Sequence, residues 1–163
     1  MEQLKCFIGV TPDKNSPQLI STLVVYDWGF SSRSRTSHDC SISEEYLGSL
    51  YDLLLSLSQF HVLVTKFQQI QIYVSDLAMY SWMVTDVHLP LLHLEQSQRI
   101  YNELKKYSTI HGIPFVIKYI AHEHNIALYS TNKIVFKPLN REEIKEVMDG
   151  FTIKSQAANV RSA

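Results

Sequence analysis

Arginine and aromatic side chains lie close together between residues 28 and 35, in a pattern that could contact nucleic acid. Arg33 and Arg35 would bind phosphate groups, and Trp28 and Phe30 would stack on bases. A solvated connection between strands is the alternative interpretation of the same segment, and the sequence leaves both open.

Two histidines, His122 and His124, are separated by one residue in a polar turn that runs from Ala121 to Asn125. Because the pKa of imidazole lies near neutrality, His122 could carry a proton close to a reacting group. A zinc site would need further ligands, which the sequence does not identify. A polar loop without chemistry is the alternative.

Three acidic residues, Asp13, Glu45 and Asp76, stand at positions where a carboxylate also has an ordinary local role. Asp13 follows Pro12, as a turn aspartate does. Glu45 stands in the first turn of a predicted helix, where the helix dipole favours a negative charge. Asp76 directly follows a strand pattern and can cap the helix that comes next.

Apolar periodicity predicts an α/β fold with a mixed central sheet flanked by helices. Strands that come first as a meander and later alternate with helices imply such a sheet. Alternation and β-branched residues predict strands at Leu4 to Val10, Leu19 to Phe30 and Gln69 to Val74, with another at Phe115 to Ile120 and a weaker candidate at Thr36 to Ile42. Helical spacing and capping patterns predict helices from Ser41 to Leu57, from Asp76 to Met83, from Pro90 to Tyr107 up to Gly112, from Ile126 to Lys133 and after Asn140.

The order of these segments resembles the ribonuclease H-like fold, over about Leu4 to Ile134. Members of that family place carboxylates at the end of the first strand, in the first helix, at the end of the fourth strand and in a late helix. The run from Ile72 to Asp76 looks like the family's "TDS" segment. His122 and Asn125 look like the histidine and asparagine of its late "H…N…AD" motif.

The resemblance implies a metal-dependent nuclease that cuts RNA, in particular RNA paired with DNA. Asp13, Glu45 and Asp76 would hold Mg²⁺ or Mn²⁺, because hard cations prefer carboxylate oxygens. Glu44 could take the role of its neighbour Glu45. His122 would join these acids in catalysis, and Asn125 would lie with Arg33 and Arg35 among the contacts to nucleic acid.

Two departures from the family pattern favour an alternative. Asp13 comes after the first strand has ended and not within a "DGS"-like turn, and Tyr129 stands near where the last aspartate belongs. Tyrosine is a poor ligand for Mg²⁺ at neutral pH. The alternative is therefore a noncatalytic domain of this fold, or another α/β domain, that binds nucleic acid or acts as a protein-interaction or scaffolding module.

Composition narrows the range of partners and compartments. The chain has 163 residues, 15 basic and 16 acidic, and a formal net charge of −1, which argues against tight, nonspecific duplex binding. Its two cysteines predict free thiols in a reducing compartment, and no signal-peptide pattern or membrane span is evident, so we expect a cytoplasmic protein. Residues 1–138 are expected to form the ribonuclease H-like domain, and residues 139–163 a C-terminal helix with a mobile tail.

Overall fold

Strands in the described part of the chain form one mixed sheet. The computed structural model describes residues 3–12, 19–28, 30–35, 42–85, 94–129, 137–138 and 142–150. The strands are β1 (Gln3–Pro12), β2 (Leu19–Val25), β3 (Phe30–Arg35), β4 (Gln69–Val74), β5 (Phe115–Tyr119) and β6 (Lys137–Pro138). Their order across the sheet is β5-β4-β1-β2-β3-β6, with β1, β2 and β3 antiparallel and β1, β4 and β5 parallel.

Helices cover the sheet. They are α1 (Ile42–Gln59), α2 (His61–Val64), α3 (Leu77–Thr85), α4 (Leu94–His111), α5 (Ile126–Tyr129) and α6 (residues 142–150), and Tyr26–Trp28 and His122–His124 form 3-10 turns. A central mixed sheet flanked by helices is the fold class that the sequence predicts, and that prediction is confirmed.

Alternation along β1 places Leu4, Cys6 and Ile8 on the face of the sheet that packs against α1. Leu4, Cys6 and Ile8 are fully buried, and they pair with apolar residues of β4 such as Ile70 and Ile72. Burial raises the pKa of the Cys6 thiol, as does the nearby charge of Asp27, so this thiol stays neutral. β1 is therefore a central strand of the core.

Helix α1 is held against the sheet by a buried polar contact as well as by its leucines. The hydroxyl groups of Ser21 on β2 and Ser49 on α1 hydrogen-bond to each other, and the Ser21 oxygen also accepts the backbone N–H of Ser49 at 2.8 Å. Buried hydroxyl groups cost free energy unless they are paired. The pair therefore holds α1 at one position along β2.

The structure differs from the predicted elements mainly at their ends. α2 and β6 have no counterpart among the predicted elements, and β3 occupies the segment of Arg33 and Arg35, for which a connection between strands was one interpretation. Gly112 ends α4 with φ of 64°, as predicted, because glycine adopts this left-handed conformation without steric cost. Residues 36–41, 86–93 and 151–163 lie outside the described residues, and so do the predicted tail and the weak third strand except for Ile42, which begins α1.

None of the described helices combines the length and the apolar character that a membrane crossing requires.

Candidate functional site

The parallel neighbours β1 and β4 bring together residues that are far apart in the sequence. Phe7 lies beside Tyr73 in the ladder, so continuing the register by two residues sets Gly9 beside Ser75, just after β4. The start of α5 covers the same place. We call this place the sheet-end site and define it by Gly9, Ser75, Asp76, Asn125 and Leu128.

Asn125 is the polar centre of the sheet-end site. Its side chain is fully buried, and its amide nitrogen donates to the Ile8 carbonyl oxygen and to the Ser75 hydroxyl, both at 3.0 Å. Its amide oxygen accepts the backbone N–H of Ala127 at 3.0 Å. Asn125 therefore ties β1, the end of β4 and α5 together.

A side chain at Gly9 would displace the flexible end of the Leu128 side chain. A Cβ atom built on Gly9 would lie 2.6 Å from Cδ2 and 3.2 Å from Cγ of Leu128, and 3.5 Å from Cβ of Ala127. The first distance is far below van der Waals contact. A carboxylate projecting from this position of β1 would therefore overlap with α5 unless Leu128 moved.

Solved structures of three ribonucleases H resemble this chain. The TM-score is 0.59 for LC11-RNase H1, isolated from compost by a metagenomic approach, at 11% identity over 77% of this chain and 89% of that one. It is 0.52 for RNase H1 from Halobacterium salinarum, at 11% identity over 77% and 90%. It is also 0.52 for the N-terminal RNase H domain of rv2228c from Mycobacterium tuberculosis, at 7% identity over 77% and 87%.

The chain has a ribonuclease H-like fold. At these identities the likeness concerns the fold alone. No family model matches the sequence, and no curated protein matches it either.

In this ribonuclease H-like domain, Asp76 caps the helix that follows it. Its carboxylate oxygen accepts the backbone N–H of Met79 at 3.0 Å, and its carbonyl oxygen accepts the N–H of Tyr80. Tyr46 of α1 is buried nearby: burial raises the pKa of its hydroxyl, and the charge of Asp76 raises it further. The charge of Asp76 therefore acts on a buried, neutral tyrosine of α1.

The other acids of the predicted site are only partly described. Glu45 lies near the start of α1, next to Tyr46, and its side chain and that of Glu44 lie outside what the structure describes. Asp13 lies outside the described residues altogether. Tyr129 is the last residue of α5, and its side chain is likewise outside the described part.

His122 and the two arginines lie around the sheet-end site at different distances. His122 and His124 are exposed in the 3-10 turn that leads to Asn125. In an extended chain, two residues at this spacing would have pointed to the same side. The ladders align Arg33 of β3 with Thr22 of β2, which in turn pairs with Gly9. Arg35 lies two residues further along β3, at the level of Thr11.

The described side chains at the sheet-end site do not fit two divalent cations. Asp76 is the carboxylate among them and already binds the end of α3, and the others are a glycine, a hydroxyl, an engaged amide and a leucine. Two adjacent cations need several negative charges to hold them. Across the whole described part of the chain, no cluster of three or more His, Cys, Asp or Glu side chains suits a metal ion.

Sequence reasoning did not single out Gly9, Ser75, Leu128 or Tyr46. Glycine inside a strand pattern often marks a close approach of another backbone or side chain, so Gly9 carried a usable signal. Ser75 stands beside the aspartate that attracted attention. Leu128 and Tyr46 look like ordinary core residues in the sequence, and only the packing of α5 and α1 reveals where they lie.

Proposed function

We propose that this chain is a noncatalytic ribonuclease H-like domain that binds nucleic acid, with RNA or an RNA/DNA hybrid as its ligand. The observation that carries the loss of catalysis is the close packing of Leu128 on Gly9. A cleavage site of the family's type needs space and charge beside the end of β4, where Gly9 of β1 lies. Here that volume is taken by an apolar side chain and by the amide of Asn125.

Nucleic-acid binding is supported by the fold and by the arginines of β3. Arg33 stands in the same row of the sheet as Gly9, so a strand of nucleic acid along β3 would pass close to the sheet-end site. Arg33 and Arg35 supply phosphate contacts in this proposal, and the net charge of −1 limits their number. We expect moderate affinity with a shallow dependence on salt. Asn125 acts by holding the site closed and not by touching the ligand.

A labelled RNA/DNA hybrid tests the binding. We expect an anisotropy change on adding the protein, equal in Mg²⁺, in Mn²⁺ and with EDTA. Arg33→Ala and Arg35→Ala should each weaken binding and lower the salt slope by about 1. Arg99→Ala is the matched control, because Arg99 lies on α4 and pairs with Asp149 at 2.7 Å. No binding of the hybrid or of single-stranded RNA would contradict the proposal.

The second candidate is the metal-dependent nuclease that the resemblance implies, with Asp13, Glu45 and Asp76 as ligands of Mg²⁺ or Mn²⁺ and His122 beside them. The position of Asp76 directly after β4 favours it. Cleavage of the hybrid in Mg²⁺ or Mn²⁺ that is abolished by Asp76→Asn would establish this candidate. The first proposal expects no cleavage by either protein, and no rise in melting temperature with millimolar metal.

A further inference from the structure

The outer edge of β5 is open within the described part of the chain. β5 is the last strand in the sheet order, and among the described strands it pairs with β4 alone. The backbone N–H of Ile70 donates to the Pro114 carbonyl oxygen at 3.0 Å, and the N–H of Ile120 donates to the Val74 carbonyl oxygen at 2.9 Å. These two hydrogen bonds fix which residues of β5 face β4.

In a parallel ladder, the N–H and C=O groups of alternate residues point to the same neighbouring strand. Because residues 114 and 120 bond to β4, the N–H and C=O groups of Val116 and Lys118, which lie between them at even spacing, also point toward β4. The N–H and C=O groups of Phe115, Ile117 and Tyr119 therefore point away from the sheet. They form a row of donors and acceptors that another strand could pair with.

A groove of about 580 Å³ lies beside this open edge, and polar residues of α4 line it together with apolar ones. Phe115 and Ile117 of β5, Tyr80 and Val84 of α3 and Tyr101 of α4 contribute to its walls. Tyr119 at the end of β5 stacks edge-on against Tyr80, with ring centroids 6.0 Å apart. A bound strand would therefore find apolar contacts on one of its faces.

Helix α3 exposes apolar side chains beside the hydroxyl groups of Ser81 and Thr85 on its outer side. Its nine residues include no charged side chain. Leu77 is 64% exposed, Val84 51% and Tyr119 of the neighbouring strand 47%. Large exposed apolar side chains on an uncharged helix indicate a surface that another molecule could cover.

We propose that this surface, the open edge of β5 with the groove beside α3 and α4, docks an extended segment of a partner protein as an additional strand. We call it the β5 edge surface. Pairing with the backbone of Phe115, Ile117 and Tyr119 supplies affinity, and alternate side chains of the segment enter the groove and supply specificity. This surface is separate from the arginines of β3, which lie across the sheet.

The charges around the β5 edge surface favour an acidic partner. Two charged residues, Lys105 and Lys118, occur among the residues of β5 and of the groove walls, and both are basic. Lys118 is exposed and lies on the face of β5 opposite Ile117. A segment that alternates apolar residues toward the groove with glutamate or aspartate toward Lys118 matches both faces.

A second copy of this chain fits the same edge less well. Antiparallel pairing of two β5 strands around Ile117 would put both Lys118 side chains on one face, diagonally across the new ladder. Like charges at such positions destabilise the pairing. The proposed occupant is therefore a different chain.

A fluorescein-labelled peptide in which valine and glutamate alternate is the probe. We expect saturable binding, and hydrogen exchange should slow at the amides of Ile117 and Tyr119 while those of Val116 and Lys118, already bonded to β4, change little. The same peptide with lysine in place of glutamate should bind more weakly. Lys118→Glu should lower the affinity for the glutamate peptide about twofold to fivefold.

N-methylation of the peptide is the decisive control, because it leaves the protein unchanged. Methyl groups on the amides of one edge should reduce affinity by about tenfold or more, and methyl groups on the other edge should not. Equal binding of both methylated peptides would overturn the proposal. So would the absence of binding, or sedimentation as a dimer that Ile117→Pro converts to a monomer. None of these results depends on nucleic acid, so each is separable from the proposed function.

Discussion

At the scale of single residues, the sheet-end site depends on what is small as much as on what is polar. Gly9 permits α5 to lie against β1, and Asn125 satisfies the donors and acceptors that this approach buries. Unpaired buried polar groups would each cost about 1–3 kcal/mol. Closure of the site is thus a packing property, which can be tested without any substrate.

Gly9→Ala should lower the free energy of unfolding by about 1–3 kcal/mol, because the added methyl group lies within 2.6 Å of Leu128. The measurement is urea unfolding followed by circular dichroism. In the Gly9→Ala/Leu128→Ala double variant, part of this cost should disappear, giving a coupling energy of about 1 kcal/mol. Gly150→Ala is the matched control, since nothing lies within 4 Å of its Cβ position and its substitution should be neutral or slightly stabilising. An unchanged Gly9→Ala protein would contradict the packing described.

A histidine pair lies where the first residue of α2, His61, meets the last residue of α4, His111. His111 lies with its ring centroid 4.2 Å from that of His61, and the His61 Nδ1 atom hydrogen-bonds to the Tyr107 hydroxyl at 2.7 Å. Burial lowers the pKa of His111, and a charge on His61 lowers it further. Burial also raises the pKa of Tyr107 to about 12, so this hydroxyl stays protonated near neutral pH.

Because the folded state disfavours the charged form of His111, the unfolded chain binds more protons as the pH falls. The stabilisation is present above the unfolded pKa of about 6.5 and is lost as the pH falls below it. We expect the melting temperature to drop between about pH 7 and pH 5, and to drop less steeply in His111→Gln. His124→Gln, an exposed histidine of the 3-10 turn, should keep the slope of the parent protein. Equal slopes in all three proteins would remove His111 from this account.

At the scale of secondary-structure elements, a residue that caps a helix can be mistaken for a metal ligand in a sequence motif. Asp76 was a candidate metal ligand, and it is also the residue whose carboxylate binds the first turn of α3. A motif cannot separate metal binding from helix capping at this residue, because β4 ends where α3 begins. The two roles differ in what they require of the charge.

Substitutions at Asp76 should separate these roles. Asparagine caps helices nearly as well as aspartate, so Asp76→Asn should change the free energy of unfolding little, while Asp76→Ala should cost about 1 kcal/mol. The measurement is chemical denaturation, in EDTA and again in Mg²⁺. If Asp76→Asn were destabilised only in the presence of Mg²⁺, its charge would be serving a metal and not the helix.

At the scale of the whole molecule, α6 is part of the same core as the sheet. Ile144 and Met148 are buried with residues of α1 and α4, and Arg99 of α4 pairs with Asp149 at 2.7 Å. The pKa of Tyr51 on α1 is raised, first by burial and then by the charge of Glu143. Residues 142–150 therefore contribute to the same core as the sheet.

Removing a buried side chain of α6 should destabilise the entire domain. We expect Ile144→Ala to lower the free energy of unfolding by about 2–5 kcal/mol in a single transition. Lys145→Ala, on the exposed side of the same helix, should have little effect. An early transition in Ile144→Ala that leaves the sheet folded would indicate that α6 unfolds separately.

Local patterns in the sequence determined much of the fold. The alternation of Gln69 to Val74 and the helix end at Gly112 each depend on interactions between residues that are close in the sequence. Such features can be predicted without tertiary structure. The strand and helix order then led to the ribonuclease H-like fold, which the structure bears out. The short β6 and α2 were missed because they are too brief to show a period.

The state of the site was decided only by tertiary structure. Whether the charge of Asp76 acts on a tyrosine of α1 depends on the rotation of α1 about its axis, which no local pattern records. Whether Gly9 leaves a cavity or a contact depends on where a helix more than a hundred residues later lies against it. Local propensity acts between neighbours along the chain, whereas the space at the site is filled by segments that are distant in the sequence. Only the tertiary structure therefore determines whether the site is filled.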